Sequence, residues 1–150
     1  MLTLQQMSRE EYTNYLSNAV IDYAADKITA GTWTKDEAIG LANDAFADLL
    51  PQGIDTPNEY LYTIHRSNIP IGHIWLHYKD QAAFIYDFLI FADYRNKGYG
   101  SEAMTCLEQR AKQIGAVKLS LHVFAHNKQA VHVYEKAGFQ YTDHTMAKNI

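Results

Sequence analysis

The stretch Arg95-Asn96-Lys97-Gly98-Tyr99-Gly100 lies between an apolar segment, residues 83–91, and an amphipathic segment that begins at Gly98 or Gly100. Two glycines in a turn that opens a helix let successive backbone N–H groups point at one spot, beside the positive end of the helix. Glycine also permits close backbone approach, and Arg95 and Lys97 add positive charge. The stretch therefore predicts an anion-binding turn between a buried strand and a helix.

The segments on either side of this turn predict two parallel strands joined by a helix. Residues 83–91 are apolar at nearly every position except Asp87, which is typical of a central strand that is buried on both faces. The helix ends near Gly115, and residues 117–124 form a second buried strand. A helix of this length makes a right-handed crossover, so the two strands are expected to be parallel neighbours.

The N-terminal half predicts an edge strand, two helices and an antiparallel pair of strands. Leu2 and Leu4 alternate with polar residues, and Ser8 with Glu11 forms a capping box for a helix that runs to about Thr29. A second box at Thr34 and Glu37 opens a helix that stops before Pro51. Residues 60–65 and 71–78 are predicted strands around a turn at residues 66–68.

The C-terminal segment predicts one more helix and a final pair of short strands. Asn127 is the expected N-cap of a helix that closes at Gly138, and residues 139–141 and 145–148 are expected to form the strands. The predicted order is β-α-α-β-β-β-α-β-α-β-β. We expect one α/β (α+β) domain that spans residues 1–150.

Composition limits the classes of function. Seventeen acidic and thirteen basic side chains give a net charge of −4, which argues against nucleic-acid binding and favours cationic substrates. The single cysteine, Cys106, excludes an internal disulfide and fits a cytoplasmic protein. No stretch approaches the roughly 20 apolar residues of a membrane span, so no membrane association is expected.

Two nucleotide-binding motifs compete for the glycine turn. Residues 98–103 satisfy G-x-G-x-x-A formally, but six residues separate them from the preceding strand, and Leu119-Ser120-Leu121 stands where a dinucleotide fold needs an acid. The sequence also contains no G-x-x-x-x-G-K-S/T phosphate loop. Both alternatives are therefore disfavoured.

Three motifs in the second half resemble the GCN5-related N-acetyltransferase (GNAT) superfamily. Arg95, Gly98 and Gly100 match its Arg/Gln-x-x-Gly-x-Gly/Ala motif, Asn127 matches its asparagine after the next strand, and Tyr134 begins a Tyr-x-x-x-Gly-Phe motif. The resemblance implies a central, mixed, mostly antiparallel sheet with a splayed parallel strand pair. It also implies an N-acetyltransferase that moves the acetyl group of acetyl-CoA to a primary amine, on a small molecule or a peptide, by direct attack in a ternary complex.

The resemblance also implies roles for individual residues. The backbone of the bulged strand at Phe88, Leu89 and Ile90 is expected to pair with the pantetheine arm, and an N–H near Ile90 to stabilise the oxyanion. The Asn127 side chain is expected to bond this arm or the loop around it, and Tyr134 to be the general acid, although it could instead only pack beneath Phe139. The pyrophosphate is expected to lie on backbone groups of Arg95, Asn96, Lys97, Gly98, Tyr99, Gly100 and Ser101.

The general base and the acceptor are left open. Some members of the resembled family carry a glutamate where this chain has Phe84 or Tyr86, and neither of these can accept a proton at neutral pH. Strand alternation points Asp87, the nearest carboxylate, to the face opposite Tyr86 and Phe88, so we expect a water relay or a neutral amine. An acidic, aromatic amine pocket is predicted from Asp55, Glu59, Trp33, Tyr60 and Trp75.

Metal binding is not expected, and two other possibilities remain. His73 and His77 lie on one strand face about 13 Å apart, too far to share an ion. His122 and His126 flank the end of the cofactor strand and are expected to be structural or to take part in proton transfer.

A non-catalytic acyl-CoA sensor or scaffold is the alternative function, and the family resemblance makes a homodimer plausible.

Overall fold

A five-stranded sheet, with its strands side by side in sequence order, carries two helices on each face. The computed structural model describes residues 1–150. No helix is both long and apolar enough to cross a membrane. The elements in chain order are β1 (Leu2–Gln6), α1 (Arg9–Thr29), α2 (Ala38–Leu49), β2 (Glu59–Arg66), β3 (Ile69–Lys79), β4 (Ala82–Ile90), α3 (Tyr99–Gln113), β5 (Lys118–Leu121) and α4 (Lys128–Lys136).

Strand pairing confirms the predicted mixed, mostly antiparallel sheet. Among β1 to β4, each strand is antiparallel to the next. β4 and β5 are parallel, and their paired residues run from Ala82 with Lys118 to Ile85 with Leu121. Beyond that last pair, residues 86–90 have no strand partner on the β5 edge. We call the place where β4 and β5 separate the splay point.

A β-bulge lies on β4 at the splay point. Trp75 of β3 pairs with Asp87, whereas Leu76 pairs with Ile85, so Tyr86 is an extra residue without a partner. A bulge turns the following residues relative to those before it and increases the local twist. The bulge therefore coincides with the end of the parallel ladder.

Two hydrophobic cores cover the two faces of the sheet. One contains the even-numbered β3 residues Ile74 and Leu76, and it packs against α3 and Tyr134 of α4. The other contains Trp75 and packs against α1 and α2, with Phe46 of α2 in ring contact with Trp75 at 5.6 Å between centroids. The alternation of side chains along β3 thus separates an α3/α4 face from an α1/α2 face.

The predicted capping box anchors α1 to the sheet. Glu11 N–H donates to Ser8 Oγ (3.1 Å), and Ser8 N–H donates to Glu11 Oε1 (2.9 Å). The other carboxylate oxygen of Glu11 accepts from the Thr63 hydroxyl of β2 at 2.7 Å. The hydrogen bond from the Ser8 backbone lowers the pKa of Glu11, against the opposing effect of burial.

Two predicted boundaries differ from the observed ones. α2 begins at Ala38, after the predicted box. Only half of that box forms, because the Thr34 N–H donates to Glu37 Oε1 but no side chain accepts a hydrogen bond from an N–H at the start of the helix. β5 ends at Leu121, short of the predicted residue 124, because its ladder with β4 stops directly before the bulge. Boundary differences of this kind follow from contacts distant in sequence.

The predicted final pair of strands, at residues 139–141 and 145–148, is wrong. Residues 139–150 form neither helix nor strand. Met146 is 92% exposed, and β5 is only four residues long. An additional strand at this edge would have a short partner and little apolar surface to bury, which does not offset the entropy of ordering the chain.

Candidate active site

The glycine turn, residues 95–101, presents free backbone N–H groups at the start of α3. No side chain caps α3, and the first intrahelical bond of the turn is donated by Glu102 N–H to the Gly98 carbonyl (3.2 Å). The N–H groups of Tyr99, Gly100 and Ser101 precede that bond and have no acceptor in the protein. Three N–H groups at a positive helix end form an anion-binding surface.

The two glycines of the turn differ in backbone conformation and in the space around them. Gly98 has φ +81°, a left-handed conformation that favours glycine, and a Cβ added there would meet no protein atom within 4 Å. A Cβ on Gly100 would instead lie 3.5 Å from Val133 of α4, which is ordinary contact. Gly98 thus combines the required backbone conformation with open space in front of the N–H groups.

The free edge of β4 meets the glycine turn at Ile90. Phe91 N–H donates to the Ile71 carbonyl of β3 (2.8 Å), so the backbone groups of Ile90 point to the opposite, free edge. There the Ile90 carbonyl accepts from Arg95 Nε at 2.8 Å. The Leu89 carbonyl lies towards β3, since a Cβ on Gly72 would be 2.2 Å from it. Of the two strand residues in the predicted cofactor set, only Ile90 therefore turns its carbonyl to the free edge.

Asn127 caps α4, as predicted from the sequence. Its Oδ1 accepts from Ala130 N–H at 3.2 Å, which leaves the amide nitrogen for other partners. Two residues further on, Gln129 Nε2 donates to Asn96 Oδ1 of the glycine turn (3.1 Å). The starts of α3 and α4 are thereby held together.

Tyr134 lies in the second half of α4, buried on the α3/α4 face of the sheet. Its ring centroid is 6.2 Å from that of Phe88 and 5.8 Å from that of Phe139. Phe88 lies beyond the last parallel pair, so the Tyr134 ring faces the splay point. Burial, followed by the negative charge of Asp87, raises the pKa of the Tyr134 hydroxyl. The hydroxyl therefore stays protonated and can donate a hydrogen bond.

The sequence of this chain matches the family model for the acetyltransferase (GNAT) family over residues 27–139. It is 42% identical over 154 positions to the uncharacterized N-acetyltransferase YycN of Bacillus subtilis (strain 168), with 99% of each chain covered. A second B. subtilis relative, the uncharacterized N-acetyltransferase YdgE, is 36% identical over 153 positions and covers 99% and 98%. The chain belongs to the GNAT acetyltransferase family.

Solved structures agree with this assignment. The crystal structure of YycN from B. subtilis superposes with a TM-score of 0.98 at 41% identity, covering 100% of this chain and 99% of the other. The PaiA N-acetyltransferase of Thermoplasma acidophilum, solved in complex with coenzyme A, has a TM-score of 0.68 at 18% identity, with 97% and 93% covered. The second likeness concerns the fold alone.

Asp87 of this acetyltransferase lies on the α1/α2 face, and its neighbour Tyr86 shares that face. The expectation that Asp87 points away from Tyr86 is wrong, because the bulge interrupts the alternation. Tyr86 packs on Trp75, with 4.7 Å between ring centroids. Asp87 Oδ2 accepts from the Tyr15 hydroxyl at 2.9 Å and lies 3.4 Å from His73 Nε2.

Further carboxylates of α1 surround the same side of the splay point. Burial, then the charges of Asp87 and Asp26, raise the pKa of Asp22. Asp26 Oδ1 lies 2.9 Å from His126 Nε2, beyond the end of β5. The α1 side of the acetyltransferase is therefore acidic where β4 and β5 separate.

The predicted acidic and aromatic amine pocket is not assembled from the five residues named for it. Asp55 lies at the surface and pairs with Arg9 (2.8 Å). Glu59 is buried and bonds Trp75 Nε1 (2.9 Å) as well as the ring of His77. Tyr60 packs against the α3/α4 core, on the other face from Trp75, because β2 alternates its side chains.

Sequence reasoning did not identify Tyr15, Asp22 and Asp26 as site residues. Their spacing of seven and four residues on α1 places them on one helix face, together with the buried Ala19. Carboxylates on a face that also carries buried residues are the signal that would have found them. His73 and His77 each pair with a different carboxylate, Asp87 and Glu59.

Proposed function

We propose that residues 1–150 form one acetyltransferase domain that transfers the acetyl group of acetyl-CoA to a primary amine by direct attack in a ternary complex. The observation that carries this proposal is a convergence at one place in the fold. The unpaired edge of β4 and the Tyr134 ring lie at the splay point, and the glycine turn with its free N–H groups is joined to the far end of that edge through Arg95 and Ile90. The carboxylates of Asp87 and Asp22 lie near it on the α1/α2 face of the sheet, where a cationic amine could bind.

The glycine turn fits the pyrophosphate of coenzyme A. Three backbone N–H groups offer hydrogen bonds to phosphate oxygens, and the space beside Gly98 is open to a ligand. Lys97 Nζ lies 5.9 Å from the Tyr94 ring without a carboxylate partner, so its charge is available to phosphates. The PaiA structure with coenzyme A, which shares this fold, supports a coenzyme A donor.

The free edge of β4 fits the extended part of the donor. A chain with amide groups can add to an unpaired strand edge through main-chain hydrogen bonds. Residues 86–90 offer such an edge, and its far end is joined to the glycine turn through Arg95 and Ile90. The thioester end would then lie beside Phe88, and the coenzyme supplies a thiolate leaving group there.

Tyr134 is placed to protonate that leaving group. Attack by an amine on a thioester needs a free lone pair on nitrogen, a donor for the oxyanion and a proton for the thiolate. The Tyr134 hydroxyl is protonated at neutral pH, as in any tyrosine, and burial raises its pKa further; its ring packs against Phe88 at the splay point. We assign it as the general acid, with Ile90 N–H on the free edge as the oxyanion donor.

Two measurements on the purified chain test the function. Calorimetry measures acetyl-CoA binding, and thiol release is then followed with spermidine, glycinamide, kanamycin and a tetrapeptide with a free N-terminus. We expect saturable acetyl-CoA binding and amine-dependent thiol release with at least one acceptor class. Binding without release from any amine would contradict the proposal and favour a non-catalytic sensor, and the absence of binding would contradict both functions.

A further inference from the structure

A buried tyrosine, a carboxylate and a histidine form a network on the acceptor side of the splay point. Asp87 Oδ2 accepts the Tyr15 hydroxyl (2.9 Å) and lies 3.4 Å from His73 Nε2. The rings of Tyr15 and His73 are edge to face at 4.5 Å. The His73 side chain is only 10% exposed, whereas that of Asp87 is 33% exposed. Asp87 is thus the member of the network that a substrate can reach.

Asp87 and Tyr134 approach the splay point from opposite faces of the sheet. Asp87 lies two residues beyond the last parallel pair, and the next residue, Phe88, turns its ring to Tyr134. The charge of Asp87 is felt at Tyr134, where it adds to burial in raising the pKa of the hydroxyl. A nucleophile bound at Asp87 and a leaving group bound at Tyr134 would therefore lie on the two sides of one acyl group.

We propose that the Asp87–His73 pair takes the proton that the substrate ammonium must lose before attack, and that Tyr15 holds the Asp87 carboxylate in position. This inference rests on the proposed function. Asp87, which contacts the amine, is a catalytic residue in this mechanism. His73 and Tyr15 act through it and are positioning residues.

The proton transfer conserves atoms and electrons. One N–H bond of the ammonium breaks, its electron pair stays on nitrogen, and the proton goes to Asp87, whose carboxylate then shares it with the lone pair of His73 Nε2. This requires the imidazole tautomer with its hydrogen on Nδ1. The pair changes from one negative charge to none, and it returns the proton to water after the product leaves.

Other charged groups around the pair come from two elements. α1 contributes Asp22, whose pKa responds to the charges of Asp87, His73 and Arg95, with Arg95 lying in the glycine turn. α1 also contributes Glu11, which binds the Thr63 hydroxyl directly opposite His73 in the sheet. The negative charges of the carboxylates favour binding of a cationic amine beside the pair, and the positive charge of Arg95 opposes that binding.

The test compares Asp87→Asn, His73→Gln and Tyr15→Phe with the wild type, using the fastest amine of the thiol-release panel from pH 6 to 10. His77→Gln is the matched control, because His77 lies on the same face of β3 and pairs with a different carboxylate, Glu59. Thermal melting and acetyl-CoA affinity verify that each variant is folded and binds the donor. Asp87→Asn keeps the shape of the side chain and guards against loss of folding in His73→Gln.

We expect Asp87→Asn to lower kcat/KM about 100-fold at pH 7 and His73→Gln about tenfold, with acetyl-CoA affinity unchanged. The deficit should shrink as the pH approaches the pKa of the amine, because free amine then no longer needs a base. Tyr15→Phe should show a smaller deficit with the same pH trend, and His77→Gln none. A deficit that is constant with pH, or wild-type activity in Asp87→Asn, would overturn this inference alone. No amine-dependent thiol release in the wild type would overturn the proposed function as well.

Discussion

The glycine turn presents backbone N–H groups at the start of α3, whereas the network on the other face of the sheet presents the side chains of Tyr15, His73 and Asp87. The first region is built from seven consecutive residues. The second is assembled from α1, β3 and β4, and Tyr15 and Asp87 are 72 positions apart in the sequence. In the proposed function, the backbone groups bind the donor and the side chains bind the acceptor. We therefore infer that acceptor specificity lies in the side chains of the second region.

Tyr134→Phe should have the largest effect, because Tyr134 lies between the two regions. Loss of a general acid typically lowers the rate about 10²- to 10⁴-fold, so we expect kcat to fall at least about 100-fold. The acetyl-CoA dissociation constant should be nearly unchanged, since the glycine turn lies elsewhere. Steady-state kinetics and calorimetry measure both quantities. Unchanged turnover would remove Tyr134 from the mechanism and leave it with only its packing against Phe139.

Gly98→Ala tests the backbone side of the comparison. The left-handed conformation at φ +81° costs a residue with a Cβ about 1–2 kcal/mol, and the new methyl group enters the open space before the N–H groups. We expect acetyl-CoA affinity to fall about tenfold, as for a loss of about 1.4 kcal/mol. Calorimetry measures the affinity.

Gly31→Ala is the matched control for that experiment. Gly31 has φ +78°, and a Cβ added there would also meet no protein atom within 4 Å, but it follows α1, far in sequence from the glycine turn. It should lose similar stability in thermal melts while binding acetyl-CoA like the wild type. Equal loss of affinity in both variants would mean that general destabilisation, and not the turn, explains the effect.

The glycine turn and the sheet were predictable from the sequence because their signals are local. Gly98 and Gly100 stand beside an apolar strand, and the caps at Ser8 and Asn127 are decided within four residues. The bulge at Tyr86 was not predictable, since it depends on how β4 pairs with Trp75 and Leu76 of β3. One extra residue there reverses the expected face of every side chain before it relative to those after it.

The acceptor side was predicted less well for the same reason. The sequence does not show how α1 packs on the sheet. Residue type alone also does not show that the Glu59 carboxylate is already bonded to Trp75 and is therefore not available to a substrate. The final pair of strands was predicted without a partner edge in view, and a strand needs such an edge to be stable. Features that depend on long-range pairing are those that the sequence left open.

Glu11→Gln tests how α1 is held over the acceptor side. The folded-state pKa of Glu11 is lowered, so its ionised form stabilises the fold above the unfolded pKa, and this contribution is lost as the pH falls through the folded pKa. We expect the variant to be about 0.5–1 kcal/mol less stable at pH 7, with the difference shrinking below about pH 4.5. Denaturant unfolding between pH 3 and 7 measures it, and a gap that is independent of pH would contradict the role of the charge.

Asp22→Asn should have the smallest effect and separates stability from acceptor binding. The folded pKa of Asp22 is raised, so its ionised form costs stability above the unfolded pKa, and the cost disappears as the pH falls below that value. At pH 7 the variant should melt slightly higher, while KM for a cationic amine rises about two- to fivefold, the worth of an exposed ion pair. A lower KM would show that Asp22 does not face the acceptor.

A crystal structure with acetyl-CoA tests most directly whether the two regions meet at the splay point. We expect the pyrophosphate within hydrogen-bond distance of the N–H groups of Tyr99, Gly100 and Ser101, and the acetyl group beside Phe88. The Tyr134 hydroxyl should then lie near the thioester sulfur, and Asp87 should lie on the α1/α2 side, where it can hold the amine that attacks the carbonyl carbon. An acetyl group that lies away from both Tyr134 and Asp87 would contradict this arrangement.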